Sequence, residues 1–450
     1  MNKIGFVCFG EVNTPFDQLE KKHDHALDEL DVLNADIVDA GIVVDDPEYQ
    51  TADRAIDELS SLDLSSLIVC LAGWVPSHAV IRVTDVFRHL PMVLWGLSGW
   101  KENSKLVTTA DQAGTTALRF VFEVMKYQFK YVYSVIDKEE PMEKIRVFTT
   151  AAHAAKRLRA SHVGTMGYRD MLLYGTQFDG NTLRREIGVE VEPFEMLEMV
   201  QNIDSLNEQK IQEGVDYVKN NWVIDGDCDD SVIDQGVKYA LAVGKKIEER
   251  NFDAISLNDV DGMKKLEKFP PAIVFMLLEH YYDIPTIPET DILGAVTQLI
   301  MKYVSGQNAP YVEFYEFFDE SMLVGVPDYI PPSATEGDIT LLPTGFGSFS
   351  ASLVNISKLK TGFVTCARLY NKDGKYYMHL FTANAKPPMA WEECGWGSPA
   401  PQLPSLEIFP DSCSVEAFAQ KVASQHVIIG YGDFTDELRD LCNLLDIEIV

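Results

Sequence analysis

K-I-G-F-V-C-F at Lys3–Phe9 is followed by a helical stretch over Phe16–Leu33, the apolar run Ala35–Val44, a helix from Thr51 and L-I-V-C-L at Leu67–Leu71. The order is strand, helix, strand, helix, strand. The strand runs are apolar at successive positions, and a strand that is apolar on both faces must be covered on both, as in a parallel sheet between helical layers. Ala79–His89, Pro91–Leu97 and the helix-like Asp111–Tyr127 continue the layer, so residues 1–137 are expected to form one α/β domain.

The acidic, proline-containing stretch Lys138–Lys144 reads as a linker. Ile145–Thr149 opens a second α/β unit, followed by a strand at His162–Met166, a glycine-containing loop, Ile187–Val191, and helices over Ser205–Lys219 and Ser231–Arg250. Its strand Asp253–Leu257 leads into Asn258-Asp259, and residues 138–334 are assigned to this domain. From Thr335 the texture changes to glycines and short alternating strands, Ser348–Asn355, Gly362–Leu369 and Tyr376–Thr382, with Asn371–Gly374 as a hairpin turn. A helix-strand pair, Thr435–Leu445 and Ile447–Val450, closes residues 335–450. The expected fold class is α/β: two Rossmann-like open-sheet domains followed by a small antiparallel β-barrel domain.

A chain of 450 residues exceeds what one hydrophobic core organises, in line with several domains. Lys plus Arg number 38 against 69 Asp plus Glu, a formal charge of −31 that repels phosphate backbones and anionic lipid headgroups. No nucleic-acid or membrane partner is expected. Apolar runs such as Leu67–Pro76 fall short of the ~20 residues of a membrane-spanning helix, and Ile4–Gly10 lacks the length of a signal peptide. The seven cysteines have no C-x-x-C spacing and read as reduced thiols, so a cytoplasmic location is expected.

Chemistry concentrates in P-E-T-D-I-L-G-A-V-T at Pro288–Thr297. Glu289 and Asp291 stand at the start of a helix expected over Ile292–Tyr303, where backbone N–H groups and the helix dipole favour negative charge, so acidic capping alone accounts for them. Glu313, in Y-V-E-F-Y, has the ordinary reading of a strand end facing water, and His426, in S-Q-H-V-I-I-G-Y-G-D, that of a structural imidazole. Together, two carboxylates and one imidazole suffice for an open divalent site, since oxygen-rich ligation with one His suits Mn²⁺ or Mg²⁺ and leaves positions for substrate oxygens. Composition does not say whether they meet. G-x-G-x-x-G and Walker-type runs are absent, and G-T-M-G at Gly164–Gly167 reads as a tight turn.

The Glu289–Thr297 run, Glu313 placed 24 positions after Glu289, and S-Q-H-V-I-I-G-Y-G-D-F-T-D-E-L resemble the L-fucose isomerase and L-arabinose isomerase superfamily. Its fucose branch carries a similar E-x-D-x-x-G-A-x-T helix start, and most of the chain fits the pattern of two α/β domains and a β-rich domain. The resemblance implies that Glu289 and Glu313 are catalytic and bind metal, with His426 as third ligand, and that the cofactor is Mn²⁺, or Mg²⁺ or Co²⁺. It also implies a homohexamer with an active site shared between subunits. Fucose-type members usually carry Asp where Glu313 stands, and arabinose-type members Glu. Shorter relatives show a W-H-C-G-like stretch after the second carboxylate; V-G-V-P-D-Y at Val324–Tyr329 has no His, which implies three protein ligands rather than four.

Further substrate-binding candidates are Trp74, in A-G-W-V-P-S-H, Arg169, in G-Y-R-D-M, and the pair Asn258 and Asp259 beyond a strand end. Trp74 resembles an aromatic that reaches a neighbouring subunit's sugar in fucose-type enzymes, with packing as the alternative. Trp391 and Trp396 read equally as barrel packing, and Tyr311–Phe318 as core. Lys156-Arg157-Arg159 and Arg184-Arg185 are the basic clusters available for an anionic substrate tail. The expected function is metal-dependent aldose-ketose isomerisation of a free, unphosphorylated sugar through a cis-enediolate. The alternatives are an isomerase of a sulfonated hexose, sulfoquinovose, and a non-catalytic sugar-binding protein, since fold alone does not settle function.

Overall fold

The computed structural model describes residues 2–326, 329–345, 351–389, 403–411 and 413–450. Trp391 and Trp396 lie outside them. The chain divides into two compact units, residues 1–156 and 157–450.

The first unit holds five parallel strands in the order Asp36–Val44, Lys3–Gly10, Ser66–Leu71, Met92–Gly96, Phe129–Tyr133. Construction starts at Lys3–Gly10, adds one neighbour, then proceeds outward on the other side, so the direction reverses between Lys3–Gly10 and Ser66–Leu71. Every residue of Ser66–Leu71 is buried, as the unbroken apolar run requires. Helices Phe16–Leu30, Gln50–Ser60, Ser77–Thr84 and Asp111–Val124 alternate with the strands. Phe9, Val43, Leu59, Val69, Leu94 and Phe122 belong to the core between the layers.

Ile145–Thr149, read above as the opening of a new α/β unit, lies inside the helix Met142–Ala160. Ile145, Phe148, Ala152 and Ala155 are all buried, a spacing of three and four residues that the short apolar run conceals.

The second unit combines two architectures. Four parallel strands run in the order Thr286–Ile287, Ala254–Leu257, His162–Met166, Glu190–Phe194. Beside this sheet, six antiparallel strands close into a barrel: Gly362–Lys372, His426–Tyr431, Tyr311–Phe317, Met322–Gly325, Ser405–Pro410 and Lys375–Lys386, with the first and last paired to each other. Closure removes the unpaired edges of an open sheet. The two strands that form the hairpin are joined at Asp373-Gly374, both with positive φ, the left-handed pair that a two-residue turn demands. Tyr311–Phe317 and Met322–Gly325, from the stretch assigned above to the second α/β domain, are barrel strands.

Helix Ile292–Ser305 packs on barrel strands Gly362–Lys372 and His426–Tyr431 and also on sheet strand Ala254–Leu257. Every residue from Ile292 to Met301 is buried, as a helix apolar on all sides must be. Its first turn therefore lies where sheet and barrel meet.

Candidate metal centre

Glu313 and His426 face each other directly across the antiparallel pair Tyr311–Phe317 and His426–Tyr431, so the register of the barrel itself brings them together. His426 Nε2 lies 3.0 Å from Glu313 Oε1 and 3.5 Å from Glu289 Oε2. Donor atoms of Glu289, Glu313 and His426 all fall within 4.8 Å of one another, a group able to hold a metal ion. The imidazole stacks on Tyr311, ring centroids 4.2 Å apart, and its Nδ1 is turned toward Asp291 Oδ2 at 4.0 Å. Nε2 thus faces the two carboxylates, while Nδ1 is turned toward an acidic neighbour that lies beyond hydrogen-bond distance.

Glu289 reaches the cluster from a backbone that few residues adopt. Glu289 and Thr290 have φ of 65° and 52°, in the left-handed region, which costs about 1–3 kcal/mol per residue unless neighbouring contacts enforce it. Three contacts do so: the Glu289 N–H donates to Asp259 Oδ1 at 2.8 Å, the Thr290 N–H to the Leu257 carbonyl at 3.2 Å, and the Asp170 N–H to Thr290 Oγ1 at 3.0 Å. Asp170, fully buried, also accepts from the N–H groups of Met171, Val260 and Asp261, tying three segments together.

Beneath the cluster lies an ion pair. Asp291, 0 % exposed, receives Arg368 Nη1 at 2.6 Å and Nη2 at 3.0 Å, the Tyr311 hydroxyl at 2.9 Å, and the N–H of Gly294 at 3.0 Å. The acidic cap inferred from the sequence is therefore present at Asp291. At Gly294 a Cβ would come within 2.8 Å of both Arg368 Nη1 and Asp291 Oδ2, so the close approach requires glycine.

Electrostatics separates the two acids of this loop. Burial raises the carboxyl of Asp291, but the Arg368 guanidinium more than offsets it and holds the group below its ordinary value. Glu289, 7 % exposed, forms no ion pair with a Lys or Arg among the described residues. Burial, then the carboxylates of Asp259, Glu313, Asp291 and Asp170, push it up to about 9, and its Oε2 has no hydrogen-bond partner among the described residues. A buried carboxyl surrounded by acids and left with an orphaned oxygen is a position a cation would relieve, so the donor set fits a divalent metal.

The remaining candidates are placed as follows. Asp259 is buried, with one oxygen accepting the Glu289 N–H and the other 3.2 Å from Lys264 Nζ. Asn258 Oδ1 caps the turn that follows, accepting from Gly262 N at 2.7 Å. Arg169 lies over the Tyr174 ring at 5.0 Å, and its buried Nε has no hydrogen-bond partner among the described residues. Trp74, 40 % exposed, belongs to the first compact unit. Of the basic clusters, Arg184 and Arg185 pair with Glu190 and Glu186, and Lys156 with Asp63. Sequence reasoning missed Asp170 and Arg368. Arg368 had a signal: one charge inside V-T-C-A-R-L, an otherwise apolar strand, needs a buried partner.

Fold and cluster together define a protein with a parallel sheet, a closed barrel and a carboxylate-rich, cation-compatible centre where they meet. Comparison with known proteins adds a particular likeness. No family model matches the chain. It is similar to the sulfoquinovose isomerases of Priestia aryabhattai and Priestia megaterium (strain ATCC 12872 / QMB1551), each 19% identical over 407 residues, 87% of this chain and 86% of theirs. An ABC transporter solute-binding protein from Burkholderia multivorans overlaps 64% of this chain and 97% of its own at 10% identity and a TM-score of 0.18, too low to carry an argument. Among the described residues no helix is long and apolar enough to cross a membrane.

Proposed function

We propose that this chain is a metal-dependent aldose-ketose isomerase that moves a carbonyl between C1 and C2 of a free, unphosphorylated sugar through a cis-enediolate. The observation that carries this reading is the convergence of Glu289, Glu313 and His426 from a loop and two barrel strands. The relatives, named as sugar isomerases, support it. In this reading Glu289, Glu313 and His426 Nε2 hold a divalent cation, Mn²⁺ or else Mg²⁺ or Co²⁺. Once bound, such an ion supplies Lewis-acid polarisation of the sugar's oxygens. The proton chemistry belongs to the chain: one carboxylate removes the proton alpha to the carbonyl, and a carboxyl returns it to the neighbouring carbon. Glu313, whose side chain is 23% exposed, is the more accessible of the two acids, while burial of Glu289 keeps water from its side of the site.

Two features favour a sulfonated hexose as a second reading. The relatives are named for sulfoquinovose, and Arg169, on the loop that Asp170 ties to Thr290, carries a guanidinium nitrogen with no hydrogen-bond partner among the described residues. The deciding experiment offers L-fucose, L-arabinose and sulfoquinovose to EDTA-treated protein, with and without added Mn²⁺, and detects ketose. Ketose formation that requires the metal is expected. Turnover that persists in EDTA, or no ketose from any free sugar, rejects the isomerase reading.

A further inference from the structure

The first compact unit contains a cavity of about 440 Å³ lined by none of Glu289, Glu313 and His426. One wall is a single face of helix Phe16–Leu30, where Gln18, Lys21, Lys22 and His25 recur at intervals of three and four residues. The facing wall is the chain leaving strand Met92–Gly96, residues Leu97 to Trp100 with Glu102, and Glu140 closes one side. These segments follow the carboxyl ends of their strands, close to the reversal of strand order, which is where open α/β sheets take ligands.

The floor is rigid. Lys22, 8% exposed, bonds to the Asp111 carboxylate and, at 2.8 Å, to Thr109 Oγ1, which itself donates to the carbonyl of Ala72 just beyond strand Ser66–Leu71. His25 Nε2 lies 3.2 Å from Glu140 Oε1, and the Ser134 hydroxyl holds the other Glu140 oxygen. Lys22 and His25 are thereby committed to acids of their own. Lys21 and Glu102 have no ion pair among the described residues, and the Trp100 ring, 5.7 Å from Lys22 Nζ, adds an aromatic surface.

We propose that this cavity is a second ligand site, one that takes a neutral, monosaccharide-sized polyol. Two lysines among the lining residues are balanced by two glutamates, with Asp111 behind them, so the cavity offers no net positive charge to a phosphate or carboxylate, least of all in a chain of net charge −31. Gln18, Lys21, Ser98 and Glu102 instead present donors and acceptors suited to adjacent hydroxyls, and the indole suits the C–H face of a sugar ring. The volume is within the ~300–1,000 Å³ of small-molecule sites.

The site does not depend on the isomerase reading, and its test removes the metal centre. Glu289→Gln/Glu313→Gln protein in EDTA is titrated calorimetrically with L-fucose, L-arabinose and D-glucose, and separately with inorganic phosphate and AMP. One saturable site per chain is expected for at least one sugar and for neither anion. Trp100→Ala, and separately Gln18→Ala/Lys21→Ala at the cavity rim, should each weaken it at least about tenfold. Failure of all three sugars to bind, preferential binding of phosphate or AMP, or sugar binding indifferent to both cavity variants overturns the proposal.

Discussion

At the scale of single residues, Glu289 and His426 differ in what they lose when changed. Glu289→Gln and Glu313→Gln keep size but remove charge and basicity, so kcat should fall by at least the ~10²–10⁴ of lost acid-base catalysis. His426→Ala should act mainly through metal affinity, and excess Mn²⁺ should restore part of its activity, as steady-state rates across a Mn²⁺ titration would read out. Near-normal kcat in Glu289→Gln would return that residue to the role of a helix-entry acid. The carboxyl of Glu289 also makes a pH prediction. Its ordinary value of 4.5 is raised to about 9 by burial and by four neighbouring carboxylates, so between those values the folded, metal-free chain binds a proton that the unfolded chain has released. Stability then falls as pH rises through that window, because the unfolded state binds fewer protons. A bound cation favours the ionised form, so the rise in Tm on adding Mn²⁺ should be larger at pH 8 than at pH 6. Thermal melts with and without Mn²⁺ at the two pH values check this, and an increment that shrinks with pH contradicts it.

At the scale of elements, helix Ile292–Ser305 is pinned to the barrel by Asp291–Arg368 and by the Leu369 N–H on Thr297 Oγ1 at 3.0 Å. Removing one member of a buried pair strands the other, at a cost of about 3–5 kcal/mol, whereas replacing both by uncharged groups costs far less. Arg368→Met should therefore destabilise by that amount, and adding Asp291→Asn should recover much of it, with urea denaturation measuring both. Equal losses in the single and double variants would mean that the pair does not couple helix to barrel. The same pair marks how far the sequence could be read. Strand runs such as Leu67–Leu71 announced a parallel sheet because burial on both faces leaves a local pattern, and the Asp373-Gly374 turn announced its hairpin because left-handed backbone selects residue types. Glu289, Glu313 and His426 were nameable through motif resemblance, but nothing local encodes that Glu313 stands opposite His426, because register across a barrel is a long-range property. For the same reason the sequence of Tyr311–Phe317 does not distinguish a barrel strand from the α/β segments around it. Asp170 stayed invisible because its partners are backbone N–H groups contributed by distant segments, and backbone groups carry no sequence signature.

At the scale of the whole molecule, the proposed assembly is a closed hexamer with dihedral symmetry in which one subunit's first domain serves another subunit's centre. Tyr168, Leu172 and Tyr174 are 77%, 66% and 83% exposed on the loop that Asp170 anchors. Light scattering in active solution should find six chains, and a monomer would reject the assembly. Trp74 allows a sharper test. If it reaches the sugar of a neighbour, Trp74→Ala should raise KM or lower kcat while leaving Mn²⁺ affinity unchanged, because the metal ligands sit in a different compact unit. Trp74→Ala and Glu289→Gln proteins are then mixed one to one, dissociated and reassembled. In a shared site the two defects reside on different subunits, so about a quarter of the sites acquire an intact Glu289 from their own chain and an intact Trp74 from the next. The mixture should thus exceed the average of the two starting activities, reaching about a quarter of wild-type activity where both variants alone are nearly inactive. If Trp74 acts within its own chain, or only packs, every reassembled site keeps one of the defects or never depended on Trp74, and mixing yields only the average of the two starting activities.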